Sequence, residues 1–163
     1  MAFECTGIEN LDKENIGYNK FFGGGYMKRR YGRELALQAL FKIDVGKADP
    51  KRCIEDIKSE DSSQVSEDIK EFAISLTQGV VDNLEEIDRA IESSAHEWSL
   101  DRMASVDRNV LRIAAYEIMF CPDIPIKVSI NEALELVKIY SEPESVKFVN
   151  GVLGTVAKKE ERI

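Results

Sequence analysis

The chain carries one cluster of residues whose chemistry suits phosphate binding. Lys28, Arg29, Arg30 and Arg33 place four positive charges within six residues, with no acidic residue between them. Guanidinium groups bind phosphates through paired hydrogen bonds, and the interleaved Tyr31 offers a ring for an unstacked base. The cluster therefore indicates local RNA binding. On composition alone, a basic helix end that pairs with acidic groups of the same protein is an equally good interpretation.

Catalytic and metal chemistry have little support in the sequence. The single histidine, His96, stands at a predicted helix end, where an imidazole can satisfy terminal carbonyl groups. Cys5, Cys53 and Cys121 form no CxxC pair, which argues against a zinc site or a disulfide framework. The Gly23–Gly25 run lacks the spacing of a phosphate-binding loop. We therefore expect no enzyme, no metal and no cofactor, and a reducing, cytoplasmic location.

The distribution of charge restricts the class of partner. The 163 residues carry a net charge of −8, and twelve acidic residues against three basic ones lie between positions 55 and 92. An acidic body repels phosphates, so any nucleic-acid contact is expected to be confined to the basic cluster. The same acidic body suits a basic protein partner. No apolar run is long enough to span a membrane.

Hydrophobic periodicity predicts helices almost everywhere from Arg33 onward. Residues 106–119 are apolar on more than one face, which predicts a central helix. Asp49 before Pro50 is typical of a helix start, and Ser129 with Glu132 has the spacing of a capping box. The pattern predicts seven helices and an all-α fold. Boundaries are expected at 1–26 for a glycine-rich leader and 27–163 for the helical domain.

Four segments, in order, resemble the NusB family of bacterial transcription antitermination factors. They are RRYGRELALQALF at 29–41, VDR with LRIAAYE within 106–117, DIPIKVSINEA at 123–133, and SVKFVNGVL at 145–153. The resemblance covers about residues 28–157. It implies a seven-helix bundle of two helical halves. It also implies a non-enzymatic role: binding the boxA element of nascent ribosomal RNA together with NusE, a small-subunit ribosomal protein, so that RNA polymerase reads through terminators.

The family motifs, carried over residue by residue, predict two sets of contact residues. The expected RNA contacts are Lys28, Arg29, Arg30, Arg33, Gln38, Lys147 and Phe148. The expected contacts with NusE or with the RNA junction are Asp101, Asp107, Tyr140 and Glu144. For Phe148 core packing is an alternative. For Asp107 and Glu144 the alternative is a first-turn acid that favours the helix dipole.

Two further interpretations stay open at this stage. The same helical fold serves as the RNA-binding N-terminal domain of a ribosomal RNA cytosine methyltransferase, although 163 residues leave no room here for a cofactor-binding domain. Alternatively, the chain is an all-α interaction protein, such as a homodimer, that has lost RNA binding. The intact basic cluster argues against that second interpretation.

Overall fold

The computed structural model describes residues 25–161, with side chains described from residue 28 onward. This part of the chain contains seven α-helices, one short 3-10 helix at Leu100–Arg102, and no strand, which confirms the all-α prediction. No helix among these residues is long and apolar enough to cross a membrane. The α-helices are α1 (Gly25–Asp44), α2 (Pro50–Lys58), α3 (Glu67–Asp82), α4 (Leu84–Ser94), α5 (Ser105–Phe120), α6 (Ile126–Tyr140) and α7 (Pro143–Glu160).

The helices form two halves that share α5. In the first half α1, α2 and α3 contact one another, and in the second α5 and α7 contact each other and both contact α4 and α6. α1 and α3 also pack on α5, so α5 joins the halves. Val110, Leu111 and Ile113 of α5 are each at most 2% exposed, because this helix is covered on several sides. The prediction of a central helix at this position is confirmed.

Helix starts agree with the sequence at one position and differ at another. Asp49 precedes α2, and its carboxylate accepts a hydrogen bond from the backbone N–H of Lys51 at 3.2 Å, as the Asp-Pro pair predicts. The capping-box prediction for Ser129 and Glu132 is wrong, since α6 begins earlier, at Ile126, and buries both residues. Because Glu132 lies inside α6 rather than in its first turn, its carboxylate can contact another helix instead of the backbone at the start of α6.

The predicted leader lies almost wholly outside the described residues. Where the described chain begins, α1 is already helical at Gly25, two residues before the boundary expected at Met27. The basic cluster therefore belongs to the first turns of α1. Within these turns, the place of each residue around the helix determines whether its side chain faces solvent or faces α3, α5 or α6.

Candidate nucleic-acid interface

Two cations of the predicted cluster are exposed at the start of α1. Lys28 and Arg29 both face solvent. The Arg29 guanidinium lies 4.9 Å from the ring centroid of Phe72 in α3, which is the geometry of a cation–π contact. Gly32 allows that ring to approach, because a Cβ there would lie 2.7 Å from Phe72 Cδ1. The aromatic ring therefore supports an arginine that keeps its charge at the surface.

Arg30 is shared between the surface and the interior. Its Nε and Nη2 atoms donate to the two carboxylate oxygens of Glu132 at 2.9 and 3.0 Å. The Arg30 side chain is 26% exposed, whereas that of Glu132 is 5% exposed. A paired, fork-like contact of this kind fixes the guanidinium plane. Any phosphate that binds Arg30 must do so at its exposed edge, in competition with a buried carboxylate.

Arg33 lies inside the protein, and its contact with RNA phosphates stays a prediction. It is 2% exposed, and its Nε donates to Glu117 Oε1 of α5 at 3.0 Å. Its guanidinium also lies 5.2 Å from the Phe72 ring centroid, on the helix face that carries Arg29. Burial raises the pKa of Glu117, against the opposing effect of the Arg33 charge. Arg33 therefore lies beneath the exposed cations, where it contacts Glu117 and Phe72.

Gln38 lies further along α1, on the side that faces α2. It is half-buried and lines a cleft of about 30 Å³ together with Lys42, Asp56 and Glu60. Arg30 and Arg33, in contrast, face α6 and α5. Gln38 therefore lies apart from Arg30 and Arg33. The contact of Gln38 with a base edge stays a prediction.

A second group of candidate residues lies on α7 and on the loop before α5. Lys147 is exposed, while Phe148 is half-buried against the core. The Phe148 ring meets Trp98 edge to face, with centroids 6.2 Å apart and planes at 66°. Trp98 is 52% exposed. Trp98 was not predicted as a site residue; the available signal was the chain's single tryptophan, placed just after an amphipathic helix.

Asp107 is buried in the first turn of α5, and its contact with a partner stays a prediction. It is 5% exposed, and its Oδ2 accepts a hydrogen bond from Ser145 Oγ at 2.6 Å. Ser141 Oγ donates to Oδ1 of the same carboxylate. Because Ser141 and Ser145 flank the start of α7, Asp107 holds the α6–α7 connection onto α5. It therefore positions α7, which carries Lys147.

The other predicted partner contacts differ in exposure. Asp101 and Glu144 are exposed, whereas Tyr140 is half-buried at the end of α6. Burial raises the pKa of the Tyr140 phenol, and the charge of Glu34 in α1 adds to this effect. Their contact with a partner stays a prediction.

The two candidate groups lie toward opposite ends of α5. Glu117 meets Arg33 near the end of α5, while Arg108 at its start meets Asp44 at the end of α1, so the two helices are antiparallel. Asp107, which contacts Ser145 in α7, lies ten residues before Glu117. This separation is about 15 Å along the helix axis. Among the described residues no cluster of side chains is suited to hold a metal ion.

Comparisons with known proteins match this architecture. A family model described as the NusB family matches residues 30–158. The transcription antitermination protein NusB of Heliobacterium modesticaldum is 49% identical over 133 residues, which is 82% of this chain and 64% of that protein. The corresponding protein of Pelotomaculum thermopropionicum is 47% identical over 135 residues, which is 83% of this chain and 92% of that protein.

Solved structures show the same arrangement of helices. NusB of T. maritima has a TM-score of 0.72 and 36% identity, and the match covers 83% of this chain and 97% of that one. A crystal structure of the antitermination factors NusB and NusE in complex with double-stranded RNA matches with a TM-score of 0.69 and 30% identity, covering 82% and 98% of the two chains. The chain therefore belongs to the NusB family.

Proposed function

We propose that this chain is a transcription antitermination factor that binds boxA-type ribosomal RNA together with NusE. The observation that carries the proposal is its match to a NusB chain solved with NusE and RNA, which extends over 98% of that chain. Such a role is one of binding rather than catalysis. It belongs in the bacterial cytoplasm, where NusB, NusE and RNA polymerase act on the nascent transcript.

The charges of the surface support the proposal. Lys28 and Arg29 are exposed at the start of α1, and no acidic residue lies within their segment of sequence. The chain as a whole is acidic, with a net charge of −8, so these cations are favoured sites for phosphate. Ribosomal proteins are generally basic, and an acidic body is complementary to such a partner. Both features support a pair of partners that consists of an RNA and a basic protein.

The relatives also decide between the open interpretations. Relatives matched over most of their length are named transcription antitermination proteins, which disfavours a domain of a methyltransferase. The exposed cations disfavour a helical protein that has lost RNA binding. We therefore retain the antitermination role as the single proposed function.

The test is RNA binding measured by anisotropy at fixed salt, with and without NusE. Three labelled RNAs are compared: a single-stranded boxA-type sequence, its scrambled version and a double-stranded form. The variant is Lys28→Glu/Arg29→Glu, which reverses two exposed charges. Its matched control is Lys51→Glu/Arg52→Glu, which reverses an exposed Lys-Arg pair on α2 by the same total charge.

We expect sequence-dependent binding that NusE strengthens. The Lys28/Arg29 variant should bind at least tenfold more weakly, because two phosphate contacts of about 1 kcal/mol each are lost and two repulsions are added. The control should change affinity by the general field effect alone. Equal binding of boxA-type and scrambled RNA, indifferent to NusE and to the Lys28/Arg29 reversal, contradicts the proposal.

A further inference from the structure

Trp98 presents an indole ring to solvent on a well-held loop. Its backbone N–H donates to the carbonyl of Ala95 at 3.3 Å, and the N–H of Leu100 donates to Glu92 at 3.3 Å. Leu100 is buried, so the loop is anchored on the core at its far side. The loop therefore holds Trp98 at the surface through its own hydrogen bonds and its anchor.

The environment of Trp98 is asymmetric. Phe148 of α7 covers one part of the indole, edge to face, while 52% of the residue remains exposed. Aromatic rings carry large apolar surfaces, and tryptophan is enriched at interfaces. Lys147, next to Phe148 in the chain, adds an exposed positive charge on the same helix. An open ring, a backing ring and a neighbouring cation form a surface suited to a base and its phosphate.

We propose that Trp98 is the platform on which a base of single-stranded RNA stacks, with Phe148 supporting the indole and Lys147 close to the phosphate. This inference rests on the proposed function, since it deepens the RNA contact to a second location. The helix that carries Phe148 contacts Asp107 near the start of α5, whereas Arg33 contacts Glu117 near its end, and these two α5 positions are about 15 Å apart. An RNA that contacts both Arg29 and Trp98 must therefore span several nucleotides.

Stacking, rather than charge, dominates at this platform. Glu97 and Glu144 are exposed and close in sequence to Trp98 and Phe148, so they offset the positive charge of Lys147. Base–aromatic stacking tolerates such surroundings, because it depends on the ring faces rather than on phosphate neutralisation. Loss of Trp98 should thus weaken RNA binding without changing its salt dependence. Loss of Lys28 and Arg29 should change both.

The chain's single tryptophan allows a direct measurement. Titration of the full chain with unlabelled boxA-type RNA, in the absence of NusE, should quench the Trp98 fluorescence. In parallel, Trp98→Ala and Trp98→Phe are measured with labelled RNA of two lengths. The matched control is Leu84→Ala, which removes another exposed apolar side chain from the start of α4. Circular dichroism and thermal unfolding of each variant verify that the fold is retained.

We expect Trp98→Ala to weaken binding of the longer RNA roughly tenfold, at an unchanged salt slope, while Trp98→Phe recovers most of the affinity. RNA too short to span both locations should lose this dependence. If the wild-type chain binds no RNA even with NusE, the proposed function itself fails.

Three other results would contradict the proposal that Trp98 is a stacking platform and would leave the proposed function intact. One is RNA binding that depends on Lys28 and Arg29 but leaves the Trp98 fluorescence and the Trp98→Ala affinity unchanged. Another is loss of NusE affinity in Trp98→Ala with unchanged binding of RNA alone, which assigns the ring to the protein partner. A third is an equal loss in the Leu84→Ala control.

Discussion

An ion cluster lies at each end of α1, and the two clusters have opposite polarity. In the N-terminal ion cluster, α1 supplies the cations: Arg30 pairs with Glu132 of α6 and Arg33 with Glu117 of α5. In the C-terminal ion cluster, α1 supplies the anion, Asp44, and α5 supplies the cations. Both clusters join the first helical half to the second.

The C-terminal ion cluster is satisfied entirely by protein groups. Asp44 Oδ2 accepts from Arg108 Nε at 2.8 Å and from Asn109 Nδ2 at 3.0 Å. Arg112 binds both carboxylate oxygens of Asp88 in α4 at 2.9 Å each. Arg108 also donates to the carbonyl of Leu100 at 3.0 Å. Every cation here has more than one acceptor, so the cluster is a structural joint.

The N-terminal ion cluster, in contrast, continues into an exposed basic surface formed by Lys28 and Arg29. A helix N-terminus disfavours cations because its dipole is positive there, yet α1 has no acid in its first turn and carries Lys28, Arg29 and Arg30 within its first two turns. Local helix stability therefore does not explain these residues. Buried Glu117 and Glu132 offset the inner two arginines, which leaves the outer two cations for a ligand. A similar joint thus becomes a candidate binding surface where it borders exposed cations.

The largest expected effect tests the N-terminal joint. Glu117→Ala leaves the Arg33 guanidinium, 2% exposed, without its main acceptor, since Glu132 lies 4.0 Å from it. Removing one partner of a buried ion pair costs about 3–5 kcal/mol of unfolding free energy. Urea denaturation of the variant measures this loss. The double variant Arg33→Met/Glu117→Leu should recover most of it, and a single-variant loss below about 1 kcal/mol would contradict the burial argument.

Asp44→Ala should be less costly than Glu117→Ala. Arg108 retains the carbonyl oxygens of Leu100 and Met103, and Arg112 retains Asp88, so no cation is left without an acceptor. We expect a loss of about 1–3 kcal/mol in the same denaturation series. RNA affinity of the folded variant should stay unchanged. A loss that equals or exceeds that of Glu117→Ala would show that the two joints do not differ in this way.

Glu132→Gln should separate the two clusters by function. The amide keeps the shape of the side chain but removes its charge, which frees Arg30 for a phosphate at its exposed edge. We expect RNA to bind a few-fold more tightly, since one charge-assisted contact of about 1 kcal/mol changes partner. Asp88→Asn in the C-terminal ion cluster is the matched control, with no expected change. Anisotropy at fixed salt measures both, and weaker binding by Glu132→Gln would contradict competition between Glu132 and phosphate.

The sequence predicts the helices well, because their period, the Asp49-Pro50 start and the apolar residues around Leu111 are local signals. The pairing of charges is different, since it joins residues far apart in the chain. Arg33 and Glu117 are 84 positions apart, and Arg30 and Glu132 are 102 apart. A run of basic residues looks uniform in sequence. Helix geometry then turns adjacent arginines toward different neighbours.

The same reason explains the wrong capping-box prediction and the unpredicted hydrogen-bond partners of Asp107. Ser129 and Glu132 have capping-box spacing, but Pro125 ends the preceding loop and lets α6 start at Ile126, so the pair lies inside the helix. Asp107 has the position of a first-turn acid, and only the folded structure brings Ser145 within 2.6 Å of its carboxylate. In each case the sequence shows which polar side chain is present, whereas the partner of that side chain depends on tertiary contacts.

The smallest expected effect is a change in unfolding free energy with pH. The Asp44 and Glu117 contributions should change in opposite directions. Partial burial acts to raise the pKa of Asp44, but hydrogen bonds from Arg108 and Asn109 outweigh it, and its pKa is lowered. The stabilisation by Asp44 is therefore present above the ordinary aspartate pKa, near 3.9, and is lost as pH falls through the lowered folded value. Burial raises the pKa of Glu117, so its contribution to stability increases as pH falls through that raised value toward the ordinary one.

Unfolding free energies measured from pH 7 to pH 3 test these signs. Asp44→Asn should flatten the acid-side loss, and Glu117→Gln should remove the opposing gain, each by less than about 1.4 kcal/mol per pH unit. Because the other carboxylates are common to all variants, the difference between each variant and the wild type isolates one group. Differences of the same sign for both variants would mean that the two joints respond alike to protonation, against the asymmetry that separates a ligand-facing cluster from a structural one.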